Sequence, residues 1–107
     1  MTDEQLGALL LQKARAETKI LKLSAEIKTA STALLKLADT LANTPGEIDF
    51  KNLPGEVGQW PERAGRHTEF DWTQVDTGNI ARRLIDLRAA EAEIWESEKQ
   101  IRESGSL

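Results

Sequence analysis

The sequence has 107 residues, of which 14 are basic and 18 are acidic, so that its formal net charge is −4. This acidic balance argues against nucleic-acid binding, which draws much of its affinity from an excess of Lys and Arg. The absence of cysteine excludes disulfide bonds, thiolate chemistry and zinc–thiolate sites. No apolar run approaches the ~20 residues of a membrane-spanning helix. We therefore expect a single cytoplasmic domain that binds no membrane, metal or cofactor.

The first predicted element is a long helix over residues 2–43. Thr2 and Gln5 have the spacing of a capping box at its start, and Asn43 precedes a Thr-Pro-Gly turn that ends it. Two rows of positions recur every seven residues, which is typical of packing against a second helix. Lys13 is the one charged residue in these rows. A polar residue at such a position can set the register and the oligomeric state, but near the helix end we expect Lys13 to extend its ammonium group into water instead. The rows are Leu6, Lys13, Ile20, Ile27, Leu34 and Leu41, and Leu9, Ala16, Leu23, Ala30 and Leu37.

Residues 44–75 form a connection that is far longer than the usual loop of a helical hairpin. A connection of this length needs structure of its own. Residues 47–51 and 68–72 both alternate charged with apolar or neutral side chains, which is the pattern of a half-buried strand. We therefore predict that the two segments pair as a small β-hairpin. A ribbon of two strands needs a surface to lean on, and we expect the first helix to supply it.

The second predicted helix covers residues 76–104. Asp76 is its expected N-cap, and a capping box of Thr73 with Asp76 is the alternative start. Glu91 and Glu98 interrupt its apolar rows, so the packing surface is predicted to weaken toward the C-terminus. Two such helices most simply pair antiparallel, and we predict a mainly α fold: a coiled-coil-type helical hairpin with a structured insertion. The apolar rows are Ile80, Leu87, Ile94 and Ile101, with Leu84 and Ala90 beside them.

Apolar residues also lie outside these rows on both helices. A hairpin gives each helix one partner, so a second apolar stripe would face water, and such a surface usually marks a protein–protein contact. We therefore predict a homo-oligomer, with a dimeric four-helix bundle as the simplest closed form. The alternative is that these are scattered surface residues, which are normal on soluble proteins. The predicted interface residues are Leu11, Leu21, Leu35, Ile85 and Trp95.

Six residues of the connection are candidates for binding a partner protein or a small anionic ligand. Aromatic rings stack on nucleobases, and guanidinium groups bind phosphate or carboxylate through a planar fork. Tryptophan and arginine are also enriched at protein interfaces. Against an anionic ligand, residues 44–75 hold six acidic and three basic side chains. In a third, structural interpretation the rings of Phe50, Trp60, Phe70 and Trp72 only dock onto the first helix. The candidates are Trp60, Arg63, Arg66, His67, Phe70 and Trp72.

His67 has a second interpretation as a metal ligand. On an extended strand it shares a face with Glu69 and Asp71, so the three side chains offer nitrogen and oxygen ligands. The solvent-facing side of any edge strand carries the same alternation of polar residues, and we therefore predict no metal site.

The sequence favours a non-enzymatic function. It has no visible set of nucleophile, base and acid, and no metal-ligand spacing. We expect a small oligomeric helical interaction module that binds another macromolecule, as an adaptor, an assembly factor or an inhibitor. The alternative is a protein that sequesters or senses a nucleotide-like or phosphorylated anion, held between the connection and a neighbouring subunit by Trp60, Arg63, Arg66 and Trp72.

Overall fold

The computed structural model describes residues 1–58, 65 and 67–105. Most of these residues are helical, as predicted. The part of the chain between the first and last helices forms a small two-stranded sheet. In chain order the elements are helix α1 (Asp3–Asn43), strand β1 (Ile48–Lys51), strand β2 (Thr68–Asp71), the one-turn helix α2 (Trp72–Val75) and helix α3 (Thr77–Glu103). Two short 3-10 helices, Pro45–Glu47 and Gly55–Val57, flank β1.

The chain divides into two compact units, and both long helices contribute to each of them. The first unit holds Met1–Glu26 and Arg82–Leu107, and the second holds Ile27–Ala81. The first unit is built from the beginning of α1 and most of α3. The second contains the rest of α1, the sheet, α2 and the first turn of α3.

Side-chain caps fix the starts of both long helices at the predicted residues. The Thr2 N–H donates to Gln5 Oε1 at 2.9 Å, and the Gln5 N–H donates to Thr2 Oγ1 at 3.2 Å, which is the reciprocal capping box. At the start of α3, the Gly78 N–H donates to Asp76 Oδ1 at 3.0 Å, so Asp76 is the N-cap, as predicted. The alternative start at Thr73 is not used, because Thr73 belongs to α2.

In the first unit, small side chains occupy the most buried positions. Ala16 of α1 and Ala90 and Ser97 of α3 are almost fully inaccessible, as is Ile101. Because small residues let helix backbones approach closely, they leave room for little apolar volume between the helices. Two ion pairs join the helices within this unit, Lys13 to Glu98 at 3.2 Å and Glu26 to Arg83 at 3.6 Å.

The Lys13–Glu98 pair corrects two predictions. Lys13 was expected to extend into water, but its ammonium lies against the carboxylate of α3 and is also 3.9 Å from Glu17. The surface of α3 was expected to weaken at Glu91 and Glu98, yet Ser97 is only 1% exposed. After Ile94 the next buried residue of α3 lies three positions further on rather than four. Ser97 therefore faces inward, and Glu98 lies at the edge of the buried side. For the same reason Arg83 is partly buried and Leu84 is exposed.

In the second unit, the buried side of α1 differs from the predicted row. Ala30 is buried as expected, but Leu41 is 55% exposed and Leu34 is also exposed, while Thr40 is buried instead. The step from Ala30 to the next covered residue is three positions rather than the predicted four, so the buried side of α1 lies one residue earlier than the predicted row. The Thr40 hydroxyl remains satisfied because it donates to the Lys36 carbonyl at 2.8 Å.

The two strands lie where the alternation placed them, but they do not form a hairpin. β1 and β2 pair in parallel, with Ile48 opposite Thr68, Phe50 opposite Phe70 and Lys51 opposite Asp71. A parallel pair needs a crossover of about a dozen residues or more, and residues 52–67 provide that length. The second strand also ends one residue earlier than predicted. Trp72 is the first residue of α2 rather than the last of a strand.

Close packing at Ala90 makes a testable prediction. Replacing Ala90 with leucine forces extra methylene groups into the space between the helices, so we expect the free energy of unfolding to fall by about 1–3 kcal/mol. The measurement is urea denaturation followed by far-UV circular dichroism. Ala89→Leu is the matched control, because Ala89 is exposed on the same turn and has the same helix propensity. Its effect should stay within about 0.5 kcal/mol. Equal effects from the two variants would contradict close packing at Ala90.

Candidate functional site

The sheet has one apolar side, which the period-two alternation of both strands produces. Ile48 and Phe70 are buried, and Phe50 and Thr68 are half-buried. Val75 of α2 is buried in the same unit. Side chains from β1, β2 and α2 therefore contribute to the core of the second unit, together with Ala30 and Thr40 of α1.

Phe50 is the centre of an aromatic cluster. Its ring centroid lies 6.2 Å from that of Phe70 with the planes tilted by 49°, and 5.5 Å from Trp72 in an edge-to-face arrangement at 89°. Such aromatic pairs each contribute about 0.5–1.5 kcal/mol beyond the apolar area that they bury. Phe70 is only 4% exposed, so its ring is not available to stack on a ligand. Trp72 is half-buried and keeps part of its indole accessible.

The opposite side of the sheet carries charged side chains that pair across the strands. His67 Nδ1 lies 3.4 Å from Asp49 Oδ2, and Lys51 Nζ lies 3.8 Å from Glu69 Oε1. His67 is thus next to a β1 carboxylate rather than in a cluster with Glu69 and Asp71. Among the residues that the structure describes, no group of three histidine, cysteine or acidic side chains has the geometry to hold a metal ion.

Asp71 connects the sheet to α2. Its Oδ1 accepts hydrogen bonds from the Thr73 hydroxyl at 2.7 Å, from the Thr73 N–H at 3.0 Å and from Asn52 Nδ2 at 3.3 Å. These bonds favour the ionised carboxylate, so the pKa of Asp71 is lowered, chiefly by the Thr73 hydroxyl. Asn52 has a left-handed backbone with φ of 60°, which asparagine tolerates better than most residues. The Asp71 contacts therefore fix both the end of β2 and the position of Trp72.

The six candidate residues of the connection are only partly described. Trp60, Arg63 and Arg66 lie outside the described residues. Phe70 and Trp72 both contact Phe50, whereas His67 lies among the charged side chains of the sheet. The candidate set omitted Phe50 and Asp49. The alternation of residues 47–51 was the available signal, because it places Phe50 on the apolar side and Asp49 on the charged side.

All five predicted interface residues are exposed in the single chain. Leu21 is 74% and Trp95 is 59% exposed, and the others are similarly accessible. Lys99 Nζ lies 5.3 Å from the centroid of the Trp95 ring, a cation–π contact that leaves much of the ring open. Leu10 and Leu84 are exposed as well. The set of accessible interface candidates is Leu11, Leu21, Leu35, Ile85 and Trp95.

The first unit also contains a mixed-charge groove of about 540 Å³. Arg15 and Lys19 of α1 line it together with Glu93 of α3. A smaller groove of about 360 Å³ brings Gln5 and Gln100 together near the start of α1. Ala8 and Leu11 also line the larger groove, so this side of the helix pair combines charged and apolar side chains.

Comparison with known proteins provides no relative from which a role can be transferred. No family model matches the chain, and neither a curated protein nor a solved structure matches it. Within residues 1–58, 65 and 67–105, no helix has the length and apolar character needed to cross a membrane.

The lowered pKa of Asp71 makes a prediction about stability and pH. Its folded-state pKa lies below the unfolded value, so its stabilisation is present above the unfolded pKa and is lost as the pH falls through the folded pKa. We expect Asp71→Ala to cost about 1 kcal/mol at pH 7, as the loss of a helix cap does, and progressively less below about pH 4. Urea denaturation of both proteins across this pH range measures the difference.

Asp86→Ala is the control for this experiment, since Asp86 is exposed on α3. Its effect at pH 7 should stay within about 0.5 kcal/mol. A difference between wild type and Asp71→Ala that stays constant down to the acid limit would show that the ionised carboxylate does not provide the stabilisation.

Proposed function

We propose that this chain is a non-enzymatic helical interaction module that binds another macromolecule, as an adaptor, an assembly factor or an inhibitor. In this proposal α1 and α3 pair as an antiparallel hairpin, and hairpins associate into a homo-oligomer, most simply a dimer. The observation that carries the proposal is the row of large apolar side chains left exposed on two otherwise highly charged helices, with Leu21 and Trp95 as the clearest cases.

Two ion pairs support the antiparallel direction. From Lys13 to Glu26 along α1, the partners on α3 run backward from Glu98 to Arg83. The separations are similar on both helices, 13 residues on α1 and 15 on α3, as expected for two helices that lie side by side in opposite directions.

The energetics of the exposed residues support a binding role. Full burial of one leucine-sized side chain stabilises a structure by about 1.5–3 kcal/mol relative to exposure. At Leu21, Leu35 and Ile85 most of this free energy is not used within the single chain. Each of these side chains gains it on contact with another apolar surface.

The polar groups of the sheet support a structural role for the described part of the connection. His67 pairs with Asp49, Lys51 with Glu69 and Asn52 with Asp71. The Lys51–Glu69 ion pair and the hydrogen bond from Asn52 to Asp71 link the two strands and support the ribbon. They do not leave a concentrated charge for an anionic ligand.

Partner binding through the connection is tested by affinity capture from the source cell. We expect wild-type protein to retain a specific partner that Trp60→Ala loses, because tryptophan is enriched at the centre of interfaces. Val57→Ala is the control, since Val57 is an exposed apolar residue of the same connection. The far-UV circular dichroism of the three proteins must agree. Capture of the same proteins by wild type and Trp60→Ala would contradict a role of Trp60 in partner binding.

A thermal-shift screen separates this proposal from the alternative, an anion-sensing protein. The alternative predicts that a bound anion raises the melting temperature, whereas the interaction module predicts no change. Because Phe70 is buried and Trp72 packs edge-on against Phe50, we expect nucleotides and phosphorylated metabolites to leave the melting temperature unchanged. Stabilisation by one such ligand that Arg66→Ala abolishes and Arg82→Ala preserves would favour the alternative. Arg82 is an exposed arginine of α3 and controls for the loss of charge.

A further inference from the structure

The exposed apolar residues of the first unit are ordered along two helical stripes. On α1 the stripe advances by four, three and four residues, so its members share one side of the helix. It flanks the row that contains Lys13 and Ile20. Its members, all exposed, are Leu10, Ala14, Glu17 and Leu21.

The stripe on α3 follows the same rule. Its steps are four, three, four, three and four residues, and it flanks the row that contains Leu87 and Ile94. Trp95 is its central residue. Its members are Leu84, Arg88, Glu91, Trp95, Glu98 and Arg102, all exposed except Glu98, which is half-buried.

Lys13 places both stripes on the same side of the helix pair. Its ammonium lies 3.9 Å from Glu17 in the α1 stripe and 3.2 Å from Glu98 in the α3 stripe. The groove lined by Arg15, Lys19 and Glu93 uses none of the stripe residues. The first unit therefore has a groove side and a second side on which the two stripes meet. We call the second side the paired-stripe face.

We propose that a second copy of this chain binds the paired-stripe face, so that two helix pairs close a four-helix bundle. This inference rests on the interaction module proposed above and identifies the surface and the occupant of its oligomer contact. Leu10, Leu21, Leu84 and Trp95 supply the apolar contacts, and Leu11 and Ile85 lie outside them.

The dimensions of the face suit a dimer. The part of each helix in the first unit is about 35 Å long, and two adjacent helices are about 20 Å wide. The face is therefore roughly 700 Å² per copy, or about 1,400 Å² for two copies, within the range of about 1,200–2,000 Å² that stable interfaces bury.

The charges of the face favour a second copy over a strongly charged partner. Four basic and three acidic side chains lie on or beside the stripes, although the whole chain has a net charge of −4. A surface with so little net charge meets its own copy without strong repulsion, whereas a highly basic or highly acidic partner gains little net attraction from it. The seven residues are Lys13, Arg88, Lys99 and Arg102, and Glu17, Glu91 and Glu98.

Side-chain sizes on the face are complementary under two-fold symmetry. Ala14 follows Lys13, and Trp95 lies one turn before Glu98, so the smallest and largest stripe residues are close to the same level of the pair. A two-fold axis along the bundle places α1 of one copy against α3 of the other. Trp95 then packs over the partner copy's Ala14, which is the alternation of large and small residues that allows helices to interdigitate.

Sedimentation equilibrium on the full chain tests the proposal. We expect wild-type protein to sediment at about twice the 11.9 kDa of one chain. Leu21→Glu and Trp95→Glu should each weaken dimerisation by ~30-fold or more, the loss typical of a central interface residue. Because both side chains are exposed in the single chain, the helicity of these variants should match that of wild type.

Leu11→Glu and Ile85→Glu are the matched controls, since they add the same charge to exposed apolar positions of the same helices. These variants should remain dimeric. If only the control variants dissociate the dimer, or if all four variants leave it intact, the paired-stripe face is not the interface, although the oligomer remains. Equal dissociation by all four variants would also overturn this face. A monomeric wild type would remove the oligomer from the proposed function, and partner capture by the connection would be unaffected.

Discussion

Each long helix buries only a narrow apolar surface, and the other features of the structure depend on this constraint. Among the described residues, the fully buried positions of the first unit are Ala16, Ala90, Ser97 and Ile101. Three of these four side chains are small, so the helices come close but enclose little apolar volume. A two-layer arrangement covers one stripe of each helix and leaves the others in water. Large residues such as Leu21 and Trp95 are exposed for this reason.

The sheet is limited in a related way. Two four-residue strands have too few hydrogen bonds to be stable alone and need an apolar side that packs against another surface. The aromatic cluster around Phe50 supplies part of that side, and the Asp71 cap holds Trp72 against it. The side chains that make the connection rich in aromatics are therefore used, where they are described, to fold it. Phe70 in particular is a core residue of the second unit.

Local chemistry explains which features the sequence could predict. The capping box of Thr2 with Gln5 and the cap at Asp76 involve residues two or three positions apart, so they are visible without any partner. The strand positions were visible in the period-two alternation. The direction of pairing was not, because the alternation of residues 47–51 and 68–72 is the same in a parallel and an antiparallel sheet. The long crossover was consistent with either direction, and the parallel one formed.

Features that depend on two distant residues could not be read from either residue alone. Lys13 and Glu98 each resembled an interruption of an apolar row, and their meaning is visible only as a pair. The inward turn of Ser97 in place of Glu98 likewise depends on how α3 faces α1. For the candidate site, the burial of each aromatic residue depends on distant residues such as Phe50. The alternation of residues 68–72 does not show that Phe70 is buried and that Trp72 is half-buried.

The Lys13–Glu98 pair has a further consequence for the proposed bundle. Both side chains are about one-third exposed or more, so in the single chain the pair contributes only about 0–1 kcal/mol. On the paired-stripe face the same pair is removed from water when a second copy binds. A buried charge that loses its partner costs about 3–5 kcal/mol, so any shift of register that separates Lys13 from a carboxylate is strongly disfavoured. A pair that contributes little to the fold of one chain would thus restrict how two chains align, in the way that a single polar residue fixes the register of a coiled coil.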